Sequence, residues 1–387
     1  MGCRVLFIFA FVLVNLLRAT DTPEKVYRIT YVQKPNEWYK NQSALWEKVL
    51  QRDKSNEEAW MNLYKAQRYA KFDENGHIDG EKQKRLDDII TEMKKYIPDT
   101  YTYYYLSALN AKHVNEIDVE SLEYAYTRWP RFAEILYELI LYYEVQGNKD
   151  KVIYFTRELY ASEDIARGLL EYNANMLLSV KPGSILFTNG DNDTYPTLVL
   201  QKVRSFREDV TVINVHMAFG YRKYLAQLLQ EHNLQIMVNQ LPYTDITDFL
   251  SELVTQLSEK YPEKNIFMAA TLNKAFIDLF KERLYLVGLA YQFSTDRMDN
   301  LSILKENIQK NLRLDYLSND WYSEKYPATP LVTRLNQNYV VIFMNLAEYL
   351  AENGQAVEAQ YYQKRALQIA VQSDNTKMIQ MIKESQF

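Results

Sequence analysis

The chain has 387 residues, of which 47% are hydrophobic and 25% charged, the balance of a folded globular protein. The formal net charge of −5 argues against a basic nucleic-acid-binding surface, so we expect no nucleic-acid partner. The single cysteine, Cys3, lies close to the N-terminus, which excludes disulfides, thiolate metal sites and a thiol nucleophile from the remainder of the chain.

Residues 1–19 are predicted to be a signal peptide. Arg4 precedes an apolar run from Val5 to Leu17, and Ala19 offers a cleavage site. As a helix this run spans roughly 20 Å, short of the roughly 30 Å of a bilayer core. We therefore expect a periplasmic or otherwise extracytoplasmic chain without a transmembrane span after cleavage. An uncleaved N-terminal membrane anchor is the alternative.

Residues 22–168 are predicted to be a helical-repeat region. The stretch SALWEKVLQRDKSNEEAWMNLYKAQ fits the end of one helical hairpin of about 34 residues and the start of the next. Further on, Leu136, Leu139 and Tyr143 form an apolar stripe that ends at a turn at Gly147. A single helix pair cannot bury its own apolar face and stacks on its neighbours. The pattern resembles degenerate tetratricopeptide (TPR) repeats, which bind protein partners.

Residues 169–295 are predicted to form a parallel α/β domain. The strands are predicted in four short apolar runs, SILFT, VTVINV, NIFMAAT and LYLVGLAY. Amphipathic stretches such as YRKYLAQLLQEH and DFLSELVTQLSEKY separate these runs and predict helices. Continuous apolar strands that alternate with helices are typical of a parallel sheet covered on both faces.

Residues 296–387 are predicted to be helical again. The stretch NYVVIFMNLAEYLAENGQAVEAQYYQKRALQIA predicts a TPR-like helical hairpin with its turn at Gly354. A lone hairpin at this end of the chain could also serve to cap the α/β domain. The overall expectation is therefore an α/β domain between two all-α regions.

The stretch ILFTNGDNDTYPTLVLQKVRSFREDVTVIN strongly resembles part of a family of bacterial multi-span membrane proteins of unknown function, related to protein O-mannosyltransferases. The soluble C-terminal region of that family carries a strand, a Gly-Asp-Asn-Asp-Thr-aromatic-Pro turn, a helix and an Arg-x-Asp-Val sequence. Here the last motif is Arg207, Asp209 and Val210, and LYLVGLAYQFS resembles the family's Leu-x-Gly-Leu-Ala-Tyr segment. The resemblance covers residues 170–387.

The catalytic chemistry of that family lies in its membrane-embedded part, and a helical region takes its place here. The resemblance therefore implies the fold and an accessory or recognition role near envelope glycoconjugates, but not glycosyl transfer. The chain also lacks a Gly-x-Ser-x-Gly motif, a P-loop and a Gly-x-Gly-x-x-Gly motif. We predict no catalytic residue, metal site or cofactor, and an enzyme is the less favoured class.

The acidic turn, residues 189–194, is the candidate ligand-binding site. In an open parallel sheet, ligands bind beyond the carboxyl ends of the strands, where this turn would lie. The loop after VTVINV supplies Asn214, His216 and Tyr221, and the loop after NIFMAAT supplies Asn273. The candidate ligand-binding residues are Asn189, Asp191, Asn192, Asp193, Thr194, His216 and Tyr221.

Three roles of the acidic turn remain open from the sequence. Asp193 or Thr194 could cap a helix whose first turn contains Pro196. Alternatively, Asp191, Asn192 and Asp193 offer the oxygen ligands that hard cations prefer. In the third role, Asp191 accepts hydrogen bonds from a sugar or another polar ligand that stacks on Tyr195 or Tyr221.

The preferred functional hypothesis is an exported, non-catalytic interaction or scaffold protein of the cell envelope. Its helical repeats would bind a protein partner, and its α/β module would recognise a glycan or another polar ligand. The alternative hypothesis is an accessory protein or enzyme of envelope glycan or glycoprotein metabolism, with its site at Asp191 and Asp193. Two carboxylates at a suitable separation are what glycoside hydrolysis requires.

Overall fold

The computed structural model describes residues 22–70, 80–111, 113–319 and 326–385. The predicted signal peptide, residues 1–19, lies outside the described residues. Among the residues that are described, no helix combines the length and the apolar character that a membrane crossing requires.

Helices make up most of the described chain. In chain order the α-helices are α1 (Asn36–Arg52), α2 (Glu57–Tyr69), α3 (Gly80–Tyr96), α4 (Tyr101–Asn110), α5 (Val119–Arg128), α6 (Glu134–Gln146), α7 (Lys149–Ala161), α8 (Arg167–Leu178), α9 (Asp191–Leu198), α10 (Val215–Gly220), α11 (Arg222–Glu231), α12 (Ile246–Lys260), α13 (Lys274–Asp278), α14 (Asn300–Glu306), α15 (Thr329–Glu352), α16 (Ala356–Gln372) and α17 (Thr376–Glu384). Two π-helical segments, Val199–Val203 and Asn307–Asn311, extend α9 and α14. Short 3₁₀ turns occur at Val114–Glu116, Val238–Gln240, Lys281–Arg283 and Asp315–Ser318.

The described residues fall into two compact units. The first unit contains residues 22–26 and Lys34–Ile97, and the second contains Tyr27–Gln33 and residues 98–385. The predicted domain boundaries near residues 168 and 295 both lie inside the second unit.

In the first unit, α1 and α2 form a helical hairpin. Trp46 and Leu50 of α1 and Trp60 and Leu63 of α2 are buried, because the apolar side chains recur at helical spacing on one face of each helix. The Asn56 side chain starts α2 by accepting a hydrogen bond from the Ala59 N–H at 2.9 Å. The two helices predicted from this stretch are confirmed, and they pack against each other.

The second unit contains the other two predicted hairpins. Helices α6 and α7 pack together across the turn at Gly147, and α15 and α16 pack together across the turn at Gly354. Both glycines have positive φ angles, 76° and 74°, which side chains other than glycine rarely adopt. Helical pairing is therefore confirmed in both places.

A five-stranded sheet lies in the second unit, in the order β2-β1-β3-β5-β4. The strands are β1 (Ile185–Thr188), β2 (Thr211–Asn214), β3 (Ile266–Ala269), β4 (Leu284–Leu286) and β5 (Ala290–Phe293). Strand β1 pairs in parallel with both β2 and β3, as predicted. Buried side chains from Ile185, Phe187, Ile213 and Met268 join those of α11 and α12 in the core on one face.

The expectation of a wholly parallel sheet is wrong at one edge. LYLVGLAY contains two strands, because β4 and β5 pair antiparallel and β5 pairs antiparallel with β3. Only residues 287–289 separate β4 from β5, and a connection this short can join only antiparallel neighbours. The sheet is therefore mixed.

The glycine of that stretch has a packing role. A Cβ atom at Gly288 would lie 2.4 Å from the Ser179 Oγ, so no larger side chain fits without displacement. The Ser179 hydroxyl accepts a hydrogen bond from the Leu289 N–H at 2.9 Å and donates one to the Asn175 carbonyl. The hairpin is thereby held against the C-terminal end of α8.

The Arg-x-Asp-Val sequence also has a structural role. The Arg207 guanidinium donates to both carboxylate oxygens of Asp209 at 2.8 and 3.0 Å, and to the carbonyls of Leu177 and Val180. These bonds hold the pKa of Asp209 below its usual range. The pair thus fastens the C-terminal end of α8 to the start of β2.

Candidate functional site

The acidic turn connects the carboxyl end of β1 to α9. Thr188 ends the buried strand, Gly190 occupies the N-cap position, and the helix begins at Asp191. Pro196 lies inside this short helix. The predicted position at the exit of a parallel strand is therefore confirmed. Asp193 and Thr194 lie within the first turn and do not occupy the N-cap position itself.

Asp193 is buried and bound to the protein. Its carboxylate accepts hydrogen bonds from the Asn189 N–H at 2.9 Å and from the Thr271 hydroxyl at 2.8 Å. Burial raises the pKa of Asp193, and these hydrogen bonds act against that rise. The side chain therefore joins the acidic turn to the loop that follows β3.

Thr194 joins the same turn to the end of β2. Its hydroxyl donates to the Gly190 carbonyl at 3.0 Å and accepts from the Asn214 side-chain amide at 2.6 Å. The backbone carbonyl of Asn192 accepts a hydrogen bond from the Asn173 side chain of α8 at 2.9 Å. Loops after three parallel strands thus meet at this turn, as their position in the sheet predicts.

Asp191 faces a different partner. Its carboxylate is half-exposed and lies 3.6 Å from the Arg28 guanidinium, which is almost completely buried. The Arg28 guanidinium stacks over the ring of Tyr137, with its central carbon 3.9 Å from the ring centroid. The two acids of the turn therefore serve separate contacts. Within the described ranges, no cluster of three His, Cys, Asp or Glu side chains has the arrangement of a metal site.

The surroundings of Arg28 form a tyrosine and aspartate network. The Tyr137 hydroxyl donates to the Asp164 carboxylate at 2.8 Å, and the Tyr31 hydroxyl donates to the same oxygen. Tyr195 is buried beside this network, with its hydroxyl bonded to the Tyr137 carbonyl. Its ring is therefore a core group that offers no face to a ligand.

His216 and Tyr221 lie beyond β2 but stand apart from the acidic turn. The His216 ring packs against Phe276, with ring centroids 5.8 Å apart, and Tyr221 precedes α11. In the part of the chain that is described, no hydrogen bond, ion pair or ring contact joins either residue to the turn. Asn273 accepts from the Ala275 N–H and so caps α13.

A cavity of about 120 Å³ opens next to Thr194 and Asn214. Helices α6, α7, α10 and α11, the segment Val199–Val203 and strand β2 surround it. Its polar lining includes Glu144 and Gln227, and its apolar lining includes the ring of Tyr224. It lies beside the end of β2, where an α/β sheet commonly binds ligands.

Among the described residues, Glu144 is one of five acidic or basic side chains of the cavity wall, with Lys149, Lys202, Glu231 and His232. Burial raises the pKa of its carboxyl to about 7, against the lowering effects of Lys202 and Lys149. No hydrogen bond or ion pair from any other described residue reaches this carboxyl. A carboxyl of this kind, half ionised near neutral pH and open to a cavity, is typical of a functional site.

Gln227 lies across the C-terminal end of α6. A Cβ atom at Gly147 would lie 2.5 Å from the Gln227 Nε2, so the glycine makes room for this amide. The Gln227 Oε1 is buried and has no hydrogen-bond partner in the described structure. A buried acceptor without a partner is unfavourable unless a ligand or water completes it.

The site residues predicted from the sequence do not include Arg28, Glu144, Gln227 or Thr271. Thr271 is the last residue of the predicted strand run NIFMAAT, so its position at a strand end was a usable signal. The predicted turn at Gly147 was a second signal, because Glu144 and Gln227 line the cavity next to this turn. Arg28 has no comparable signal, since it lies in the predicted helical-repeat region but in none of the stretches that carry a motif.

Comparison with known proteins identifies a family for the larger part of the chain. No curated protein matches the sequence significantly. The model of TMEM260-associated domain 2 matches residues 170–386, more than half of the chain. The match begins in α8 and includes the acidic turn, the sheet and the C-terminal hairpin. The chain therefore belongs to the TMEM260-associated domain 2 family.

Proposed function

We propose that the chain is an exported, non-catalytic interaction protein of the cell envelope. Its helical hairpins, related to TPR repeats, bind a protein partner, and its α/β module binds a small polar ligand. The extracytoplasmic location rests on the apolar segment within residues 1–19 and its flanking residues.

The observation that carries ligand binding is the cavity beside Thr194 and Asn214. It offers about 120 Å³ and several polar groups, whereas the hollow beside Asp191 and Asn192 has only about 10 Å³. The smaller space holds no more than one water molecule. The ligand therefore binds on the α6 and α11 side of the acidic turn.

Catalysis by Asp191 and Asp193 is less well supported. Asp193 is buried between the Asn189 N–H and the Thr271 hydroxyl, and Asp191 is paired with Arg28. A catalytic pair of carboxylates needs access to one substrate bond. Both acids instead make contacts that hold the acidic turn in the fold.

Filling the cavity tests this proposal. We expect the parent chain to bind members of a set of small amines and alcohols in ligand-observed NMR. The Ile153→Trp variant places an indole on the cavity wall and should weaken binding at least tenfold. Tyr154→Trp is the matched control, because Tyr154 is exposed on the next position of α7 and does not line the cavity. Equal binding by Ile153→Trp, or no binding by the parent, would contradict the proposal.

The C-terminal hairpin supports a protein partner. Val357 and Tyr361 of α16 are 84% and 54% exposed and lie one helical turn apart on the same face. Exposed apolar side chains that lie together are typical of interaction surfaces. A photo-crosslinking amino acid at position 361 is therefore expected to capture a discrete partner in cells. The same probe at Glu259 of α12 should not, and equal capture at both positions would argue against this surface.

A further inference from the structure

We propose that the cavity binds a small primary ammonium compound, with the Glu144 carboxylate and the Gln227 Oε1 accepting its N–H hydrogen bonds. This inference rests on the proposed function, because it names the chemical class of the polar ligand. It concerns the wall formed by the end of α6 and by α11.

The hydrogen-bond acceptors of the cavity wall bear on the chemical class of the ligand. The Gln227 Oε1 is a buried acceptor without a hydrogen-bond partner in the described structure, and the Glu144 carboxylate on the same cavity wall accepts no hydrogen bond from a described residue. A primary ammonium carries three N–H donors, which is enough for both groups. A single hydroxyl group has one donor and can satisfy only one of them. The cavity therefore matches an ammonium better than an alcohol.

The C-terminal end of α6 also favours a cation in the cavity. Glu144 lies in the last turn of α6, which ends at Gln146 with Gly147 as its C-cap. The C-terminal end of a helix carries a partial negative charge and favours cations. The ring of Tyr224 also lines the cavity, and aromatic rings attract cations.

The other ionisable groups around Glu144 do not remove the preference of the cavity for a cation. Lys149 and Glu231 form an ion pair at 3.0 Å, so their charges compensate each other. Lys202 lines the cavity and favours ionised Glu144, but it is exposed, so solvent weakens its repulsion of a bound cation. Burial lowers the pKa of His232, which keeps it neutral at pH 7. Burial raises the pKa of Tyr195 and Tyr224, which also remain neutral.

The cavity volume limits the ligand to a few heavy atoms. An apolar cavity of about 150 Å³ in another protein accommodates benzene, which has six heavy atoms. At about 120 Å³, this cavity accommodates about four to six. Propylammonium is of this size, and 1-propanol is its neutral counterpart.

Ammonium binding requires ionised Glu144 and is therefore coupled to a proton. The pKa of about 7 means that the carboxyl of the free protein is mostly protonated at pH 6 and mostly ionised at pH 8. Below pH 7 the ammonium binds as the carboxyl releases its proton to solvent. Affinity should accordingly rise about tenfold from pH 6 to pH 8 and then level off.

Titration of the full chain with propylammonium and with 1-propanol, followed by NMR, tests the inference. We expect propylammonium to bind at pH 8 with a Kd of about 1 mM, as befits a four-atom ligand. Binding should be about tenfold weaker at pH 6, and 1-propanol should bind at least tenfold more weakly at both pH values. Glu144→Gln should weaken propylammonium binding at least tenfold and abolish its pH dependence.

Two further variants complete the experiment. Gln227→Leu removes the second acceptor and should weaken propylammonium binding several-fold without changing its pH dependence. Glu259→Gln removes an exposed carboxylate on α12 and should leave binding unchanged.

The outcomes separate this inference from the proposed function. If 1-propanol or glycerol binds as tightly as propylammonium, without pH dependence and with loss in Ile153→Trp, the ammonium class is wrong and the ligand cavity stands. If neither the amine nor the neutral probes bind the parent chain, both the inference and the ligand-binding proposal are overturned.

Discussion

Replacing Arg28 by alanine is expected to lower the free energy of unfolding of the second unit by about 3–4 kcal/mol. The guanidinium is only 7% exposed and stacks on Tyr137 at 3.9 Å, so the substitution removes a large buried contact. It also removes the partner of Asp191. Denaturant unfolding followed by near-UV circular dichroism would measure the loss, because the tyrosines around Arg28 report on this region.

The matched variant Asp191→Asn tests which contact of Arg28 contributes most to the free energy of unfolding. The Asp191 carboxylate is 48% exposed and 3.6 Å from the guanidinium, so the ion pair itself should contribute about 0.5 kcal/mol. Most of the loss in Arg28→Ala should therefore come from burial and from stacking on Tyr137. If Asp191→Asn destabilises the protein as much as Arg28→Ala, the ion pair is the main contact and this account is wrong.

Replacing Glu144 by glutamine is expected to raise the free energy of unfolding at pH 8 by about 2–3 kcal/mol. The pKa of Glu144 rises from its ordinary 4.5 to about 7 on folding, so the folded protein binds this proton more tightly than the unfolded chain does. The favourable contribution of the neutral carboxyl is complete below pH 4.5 and is lost as the pH rises through 7. The stabilisation by glutamine should therefore disappear below pH 4.5.

Denaturant unfolding at several pH values measures this effect. Glu259→Gln is the control for the loss of one negative charge, because Glu259 is exposed on α12. Its stability should follow that of the parent chain at every pH. A Glu144→Gln variant that is equally stabilised at pH 4 and pH 8, or destabilised at pH 8, would contradict the pKa of about 7.

If Glu144→Gln both stabilises the protein and weakens ligand binding, Glu144 serves ligand binding and not the stability of the fold. An ionised carboxylate in a buried wall opposes folding until a cation compensates it. The ammonium proposed above would supply that compensation. The stability of the parent chain at pH 8 should then increase with ligand concentration.

Much of the fold could be predicted because it is encoded locally. The runs of β1, β2 and β3 are short and continuously apolar, and the helical hairpins carry their apolar side chains at helical spacing. The sequence LYLVGLAY was misread as one strand because its turn, residues 287–289, contains only apolar residues and glycine. Val287 and Leu289 of this turn are apolar because both side chains are fully buried.

The candidate site was predictable only in part. The turn after β1 was expected at the end of a strand, since strands and helices alternate in this region. The partners of its acids were not, because Arg28 and Thr271 are distant in sequence and only the folded chain brings them to Asp191 and Asp193. Glu144 was not predicted, because its burial depends on packing against α11, which is far along the chain.

The membership of Arg28 in the second unit has a consequence for how that unit assembles. Residues 27–33 belong to it, yet Lys34–Ile97 of the first unit intervene before the chain returns at residue 98. The second unit is discontinuous, and a fragment that starts at residue 98 lacks the arginine that stacks on Tyr137. During N-to-C synthesis, the short leading piece must wait until the later helices emerge before it can dock.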